Sequence, residues 1–318
     1  MKTNKEQRAG APWLPTATKP WAAALALGLM SSSVLALGLM SSSVLALGDN
    51  SNDKSYDNSK QPHESPHKAE PPKGGHASLA DAATNPIASL LTLQFQDQYN
   101  FSNYNSDGGS NSFTVQPVIP FKLNWDAVPT LITRTTIPFV TTPDLGDPVG
   151  RNNGLGDVLL LAIALPKIKL EKVTLGIGAS ISAPTATSDF TGSGKWSMGP
   201  AFVYMNQKTP HWQWGVLGWQ LWDIAGDDNR NGVNKTFFQP LLIRHFDKGW
   251  YAGLPDVPGT YNWKSNNITF PFGLRIGRVT KIGKQPVNIF GQVMGDPWDD
   301  GPSPRWSFKL NVAFLFPD

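Results

Sequence analysis

The chain has 318 residues, no cysteine and 16% charged residues, with 30 glycines, 27 prolines, 12 tryptophans and 16 phenylalanines. That composition excludes a disulfide framework and a thiolate metal site, and it suits one large β domain or two small ones. The formal charge of +3 sits in residues 1–48, where Lys2, Lys5, Arg8 and Lys19 oppose Glu6; the rest of the chain is balanced, so the basic pI is no signal for nucleic acid.

Residues 1–21 are basic and polar, and residues 22–48 are apolar with two Ser triplets. The unit ALGLMSSSVL occurs at 26–35 and again at 36–45, so the apolar stretch is a tandem duplication. A basic start, an apolar middle and a small-residue end at Ala46-Leu47-Gly48 describe a signal peptide over 1–48, with a cut expected after Gly48. An uncleaved anchor is the alternative, because the apolar stretch is long enough to span a bilayer. Residues 49–84 are rich in Asn, Ser, Lys, Pro and His, with too little apolar surface to fold. They are expected to be a disordered linker. His63, His67 and His76 fall there at irregular spacing, and no metal site is assigned to them.

From Leu90 onward the pattern has a period of two, which is that of a β-strand. Leu91, Leu93 and Phe95 alternate with Thr92, Gln94 and Gln96; Phe113, Val115, Ile119, Phe121 and Leu123 share a face opposite Thr114, Gln116 and Lys122. Leu131, Ile137 and Phe139 lie opposite Arg134 and Thr136, and 155–165 is apolar on both faces. Further strands are expected at 173–183, around Trp196–Tyr204, then at 211–222, 235–246, 267–279, 285–294 and 305–316, with a weaker one at 249–255. The last stretch places Trp306, Phe308, Leu310, Val312, Phe314 and Phe316 on one unbroken apolar face, as a strand that faces lipid and closes the fold. Its alternation alone would also suit a soluble sandwich.

The connections separate these two readings. Long, Gly/Asp/Asn-rich segments (102–111, 142–154, 184–193, 223–233, 256–266, 295–304) alternate with short ones (125–129, 166–170, 206–210, 247–248, 280–284). Most short ones carry lysine: Lys167, Lys169, Lys208, Lys248, Lys281 and Lys284. Short turns on one side and long loops on the other are the habit of outer-membrane barrels. Residues 85–318 are therefore expected to form an all-β, transmembrane, antiparallel up-and-down barrel of about twelve strands (between 10 and 14) in the outer membrane of a Gram-negative cell. The expected partners are outer-membrane lipid, the barrel-assembly machinery through the C-terminal strand, and a small solute, with no nucleic acid.

Several stretches resemble the outer-membrane family named for phenol-degradation (meta-pathway) transporters, whose members are sometimes mislabelled neuromedin U. They are Gly154-Leu155-Gly156-Asp157, Gly192-Ser193-Gly194-Lys195-Trp196 with Gly199-Pro200, Trp214–Gly226, Phe237–Phe246 and Pro271-Phe272-Gly273-Leu274. The resemblance covers roughly 88–316 and implies a transport-like barrel without naming what it carries.

Little points to catalysis. The barrel region holds two histidines, His211 and His245, both expected at the membrane interface, and no His-x-Ser pair; His76-Ala77-Ser78 lies in the linker. No catalytic residue and no cofactor is assigned. Asp227-Asp228-Asn229-Arg230-Asn231-Gly232 matches half of a calcium loop, but Phe238 stands where the bidentate Glu belongs. Asp144, Asp147, Asp296, Asp299 and Asp300 sit in the other long loops and are the candidates for loose divalent binding. The residues expected to line the lumen are Gln94, Gln96, Lys122, Arg134, Lys195, Arg275 and Lys309, with few acids among them, and small inward positions (Gly176, Gly178, Gly199, Gly273) leave room. A cation-lined passage would favour anions. The function expected first is a channel for small anionic or aromatic molecules. A closed structural or binding barrel is the alternative, and a lipid-modifying enzyme the third.

Overall fold

Lipid offers a peptide group no hydrogen-bond partner, so strands that stand in it must pair on both edges. In this computed structural model, which describes residues 75–85, 89–168, 170–298 and 303–317, they do so by closing a ring. The leader, its cut site, the linker through residue 74 with His63 and His67, and Lys169, Asp299 and Asp300 lie outside the described residues.

The first element is a helix, α1 (Gly75–Thr84). The strands follow: β1 (Leu91–Asn103), β2 (Ser110–Lys122), β3 (Thr130–Thr141), β4 (Asn153–Leu155), β5 (Val158–Leu165), β6 (Val173–Ala183), β7 (Lys195–Asn206) and β8 (Trp212–Gly226). Then come β9 (Asn234–His245), β10 (Trp250–Gly253), β11 (Gly259–Asn262), β12 (Asn267–Thr269), β13 (Phe272–Ile282), β14 (Gln285–Gly295) and β15 (Pro304–Phe316). All pairings are antiparallel, in the order β10-β13-β14-β15-β1-β2-β3-β5-β6-β7-β8-β9-β11-β12, with β4 on β3. Taking β4 with β5, β10 with β11 and β12 with β13 as single crossings, the wall has 12 strands. The seam is β15 on β1, in register from Leu91↔Phe316 to Asn100↔Ser307, with register shifts before Ser102↔Trp306 and Asn103↔Pro304. On the far side β10 bridges β9 and β13.

The outward faces are apolar and arranged by height. Exposed aromatic residues ring the long-loop end (Phe101, Trp196, Trp222, Phe272, Trp306) and the short-turn end (Phe121, Trp125, Trp214, Phe246, Trp250, Phe316). Between them stand exposed aliphatic residues such as Ile177, Ile276 and Val293. Two aromatic girdles around an aliphatic band are the surface of a barrel in a bilayer.

The inward faces divide. On β5, β7 and β8 they are apolar: Leu161, Ile163, Val203, Met205, Leu217 and Trp219 pack into one cluster. On β1, β2, β14 and β15 they are polar: Gln96, Thr114, Gln116, Asn288, Gln292 and Asn311 are all buried. The small inward residues do not leave a hole. A Cβ on Gly176 would stand 2.5 Å from Ile163 and 2.8 Å from Val203, so the apolar cluster occupies that space. A Cβ on Gly273 would stand 1.9 Å from the Val293 carbonyl, so that glycine serves close strand approach.

Ile177, 69% exposed near the middle of β6, tests the lipid-facing assignment. Replacing it by Arg is expected to cost about 2–4 kcal/mol in denaturant unfolding from a lipid bilayer. A change within about 0.5 kcal/mol, normal for a water-exposed site, would contradict the assignment.

Candidate lumen site

The site begins with a break in the wall. The ninth crossing stops at Gly253 and resumes at Gly259, and the segment between them, Leu254-Pro255-Asp256-Val257-Pro258, contains two prolines. Proline has no N–H for a ladder, so this segment leaves the sheet. It enters the lumen and carries Asp256 with it. Asp256 Oδ1 accepts from Gln239 Nε2 at 2.7 Å and lies 3.8 Å from Arg275 Nη1. The Asp256 N–H donates to Gln292 Oε1 at 2.8 Å, and Lys309 Nζ donates to the Asp256 carbonyl at 2.9 Å. One inserted residue thus ties together the inner faces of β9, β13, β14 and β15.

Of the seven residues expected in the lumen, six point inward. Arg275 and Lys309 gather at Asp256. Arg134 faces the same cavity from β3 and lies over the Trp219 ring at 5.7 Å. Arg275 in turn lies over Phe290 at 5.2 Å and Tyr251 at 5.8 Å. Gln94 and Gln96 belong to a side-chain ladder in which Gln96 Nε2 donates to Gln116 Oε1 at 3.2 Å and Gln116 Nε2 to Thr136 Oγ1 at 2.9 Å. Lys195 is buried near the long-loop end, 3.9 Å from Asp228 Oδ1, away from the other cations. Lys122 does not join them: its strand runs past the enclosed part of the lumen, and it is exposed at the short-turn end. Asp256 was missed because it lies in what the sequence shows as a long loop. The flanking prolines were the available signal.

The second part of the site closes the short-turn mouth. Residues 75–84 were expected to be unstructured linker, but GHASLADAAT forms α1, because its Ala and Leu residues favour helix and Ala80, Ala82 and Ala83 are small enough to pack inside the ring. Ala80 is buried against a cluster that includes Ile243, Tyr251, Val279 and Leu315. Gln213 Nε2 donates to the Asp81 carbonyl at 2.9 Å, and Asn288 Nδ2 donates to the Ala83 carbonyl at 3.1 Å, satisfying carbonyls at the helix end. Thr84 Oγ1 lies 2.9 Å from Gln213 Oε1 and 3.3 Å from His245 Nε2, and Asp81 Oδ1 lies 3.4 Å from the same nitrogen. His245 is therefore buried in the mouth, not at the membrane interface. Both Thr84 and Asp81 approach Nε2, while Nδ1 has no hydrogen-bond partner among the described residues, so the three do not form a nucleophile–base–acid relay.

Between α1 and Asp256 lies a cavity of about 30 Å³, bordered by Thr84, Gln94, Arg134, Asp256, Arg275 and Asn288. That is room for water, not for an open path.

The family-like motif lies elsewhere, at the long-loop end. Asp157 accepts from the Ser193 N–H and hydroxyl, both at 2.6 Å, and so clasps the β6–β7 loop to the start of β5. Gly192 sits against that carboxylate, where a Cβ would be 2.4 Å from Asp157 Oδ1; Gly194 turns the chain at a φ of +67°. Gly154 and Gly156 pack closely on Thr187 and Pro138, and Gly199 on the Gln220 carbonyl. Trp196 and Pro200 face outward. Arg230 Nη2 donates to the Gly192 carbonyl at 2.7 Å and its Nη1 pairs with Asp189 at 2.9 Å, joining a second loop to the clasp. In the half calcium loop, Asp227 Oδ1 accepts from the Asn229 N–H at 2.9 Å and closes a turn.

No family model and no curated protein sequence matches the chain. Among solved structures, an outer membrane channel from Pseudomonas putida F1 superimposes with a TM-score of 0.56 at 18% identity, over 78% of this chain and 100% of that one. The outer membrane phospholipase A of Escherichia coli gives 0.39 at 12% identity, over 77% of this chain and 99% of that one. The calcium-bound outer membrane phospholipase dimer of Salmonella typhi gives 0.36 at 13%, over 76% and 98%. The first likeness shows a shared barrel fold; the other two are too distant to carry an argument.

Removing the Asp256 charge while its cations stay is expected to destabilise the barrel. Asp256→Asn should cost about 3–5 kcal/mol, the scale for breaking one side of a buried pair. Adding Arg275→Gln should return part of that loss. Strictly additive losses in a denaturant double-mutant cycle would show that the two charges are not coupled.

Proposed function

We propose that this chain is an outer-membrane channel for passive movement of small anionic or aromatic solutes, narrow at its waist and stopped at its periplasmic mouth by α1. The observation that carries this reading is the lumen itself. Arg134, Arg275 and Lys309 face one carboxylate, Asp256, inside a closed barrel, and a helix held by Ala80 packing and a few polar contacts covers one end. A water-filled path past that waist would favour anions. The barrel fold shared with a channel and the motif resemblance to transport-like barrels support the same reading. The long loops then face the outside and the lysine-bearing short turns the periplasm. Export would use the signal peptide, and the assembly machinery would engage β15, whose aromatic face ends in Phe314 and Phe316. Chemistry on a substrate has no support from the site, which offers no relay.

A second reading is a closed binding or structural barrel acting through its loops. The small cavity and the packed apolar half of the lumen favour it. Single-channel recording on the intact chain in a planar bilayer with a salt gradient separates the two. The intact chain is expected to show rare, small steps. Ala80→Asp, which places a charge in the contact that seats α1, is expected to make steps larger and more frequent, with a reversal potential on the anion side. Silence from both proteins, once folded insertion is demonstrated, would favour the closed barrel. Steps leaning to cations would keep the channel and reject the cationic waist.

A further inference from the structure

We propose that the cavity between α1 and Asp256 is a binding site for a small monocarboxylate with an apolar body, such as an aromatic carboxylate. The inference deepens the reading of the lumen as a solute passage, yet its test does not require conduction.

Charge is the first argument. Three buried or half-buried cations share one carboxylate, and that carboxylate is already engaged by Gln239 and Arg275. Lys309 spends its contact on a backbone carbonyl. Arg134 has the Trp219 ring beside it and no ion pair among the described residues. The Nε groups of Arg134 and Arg275 are buried without a hydrogen-bond partner among those residues, although Arg275 is only 3% exposed. Buried donors of this kind are costly unless something accepts from them. A carboxylate is the acceptor whose geometry matches a guanidinium edge, and it would balance part of the excess positive charge.

The walls are the second argument. Leu90, Val118 and Phe290 border the same cavity and give a bound molecule apolar surface beside the cations. Val118 continues into the packed cluster of Ile132, Leu161 and Trp219, and Trp219 carries Arg134 on its face. An anion with an apolar body satisfies both linings. A second negative charge on the ligand would meet Asp256, which selects a monoanion.

Size is the third argument. The cavity of about 30 Å³ holds a carboxylate head but not a ring. A ring needs the space taken by Ala82, Ala83 and Thr84, the last turn of α1. Ligand entry and helix seating therefore compete.

The test is binding of benzoate to the intact chain in detergent micelles, read by tryptophan emission and the thermal unfolding midpoint, with benzyl alcohol as the neutral counterpart. Benzoate is expected to saturate both signals and benzyl alcohol to leave them unchanged. Arg134→Gln is expected to weaken benzoate at least tenfold, whereas Arg134→Lys, which keeps the charge, should retain part of the affinity; unfolding without ligand checks that both variants fold. Ala80→Asp, which unseats α1, is expected to tighten benzoate several-fold. Equal binding of benzyl alcohol, or unchanged benzoate affinity in Arg134→Gln, would overturn the carboxylate site. Unchanged or weaker binding in Ala80→Asp would overturn the competition with the helix. Benzoate binding by a protein silent in bilayers would remove the passage and keep the site, and conduction without benzoate binding would do the reverse.

Discussion

A peptide group in hydrocarbon has only another peptide group to bond, and the architecture follows from that. Closure of β15 on β1 across thirteen-residue strands leaves no long edge there. It also fixes which side chains face lipid and which face the lumen, because a slip by one residue would exchange the two sets along a whole strand. The place where the ring is least regular, the ninth crossing, is where β10 and β11 each cover only part of β9. It is there that the chain can leave the wall and put a charged residue inside.

The interior answers to a second constraint. Twelve strands enclose more space than side chains fill without effort and less than a wide pore needs. This barrel resolves the matter unevenly. One half of the inner wall is filled by an apolar cluster over Gly176, and the other half holds amide ladders and cations. The inserted Asp256 balances part of the positive charge that β3, β13 and β15 bring inward, so the narrow waist follows from charge compensation as well as from packing.

The ends of the barrel differ in how firmly they are made. At the long-loop end, Asp157, Ser193, Arg230 and Asp189 lock two loops to the wall by side-chain contacts with tightly packed glycines between them. At the short-turn end, α1 is seated by small residues and a handful of amide, hydroxyl and imidazole contacts. An element with few buried apolar contacts opens at lower free energy than the sheet it covers. The same helix borders the cation-lined cavity and covers it at the short-turn end.

Much of this was legible in the sequence. The period-two pattern gave the strands their faces, and Trp306, Phe308, Phe314 and Phe316 of β15 point outward as alternation requires. The alternating loop lengths gave the two ends, and inward parity placed Arg134, Arg275 and Lys309 within the lumen, because a strand's geometry is local and admits no other side. What alternation cannot supply is height and company. It did not show that Lys122 runs out of the enclosed lumen, that His245 turns into the mouth, or that a tract read as linker contains a helix that fits there. Nor did it show that Asp256, from a segment between two prolines, would meet residues of four strands. Those outcomes depend on which side chains the closed ring brings across its interior, and only the tertiary structure decides that.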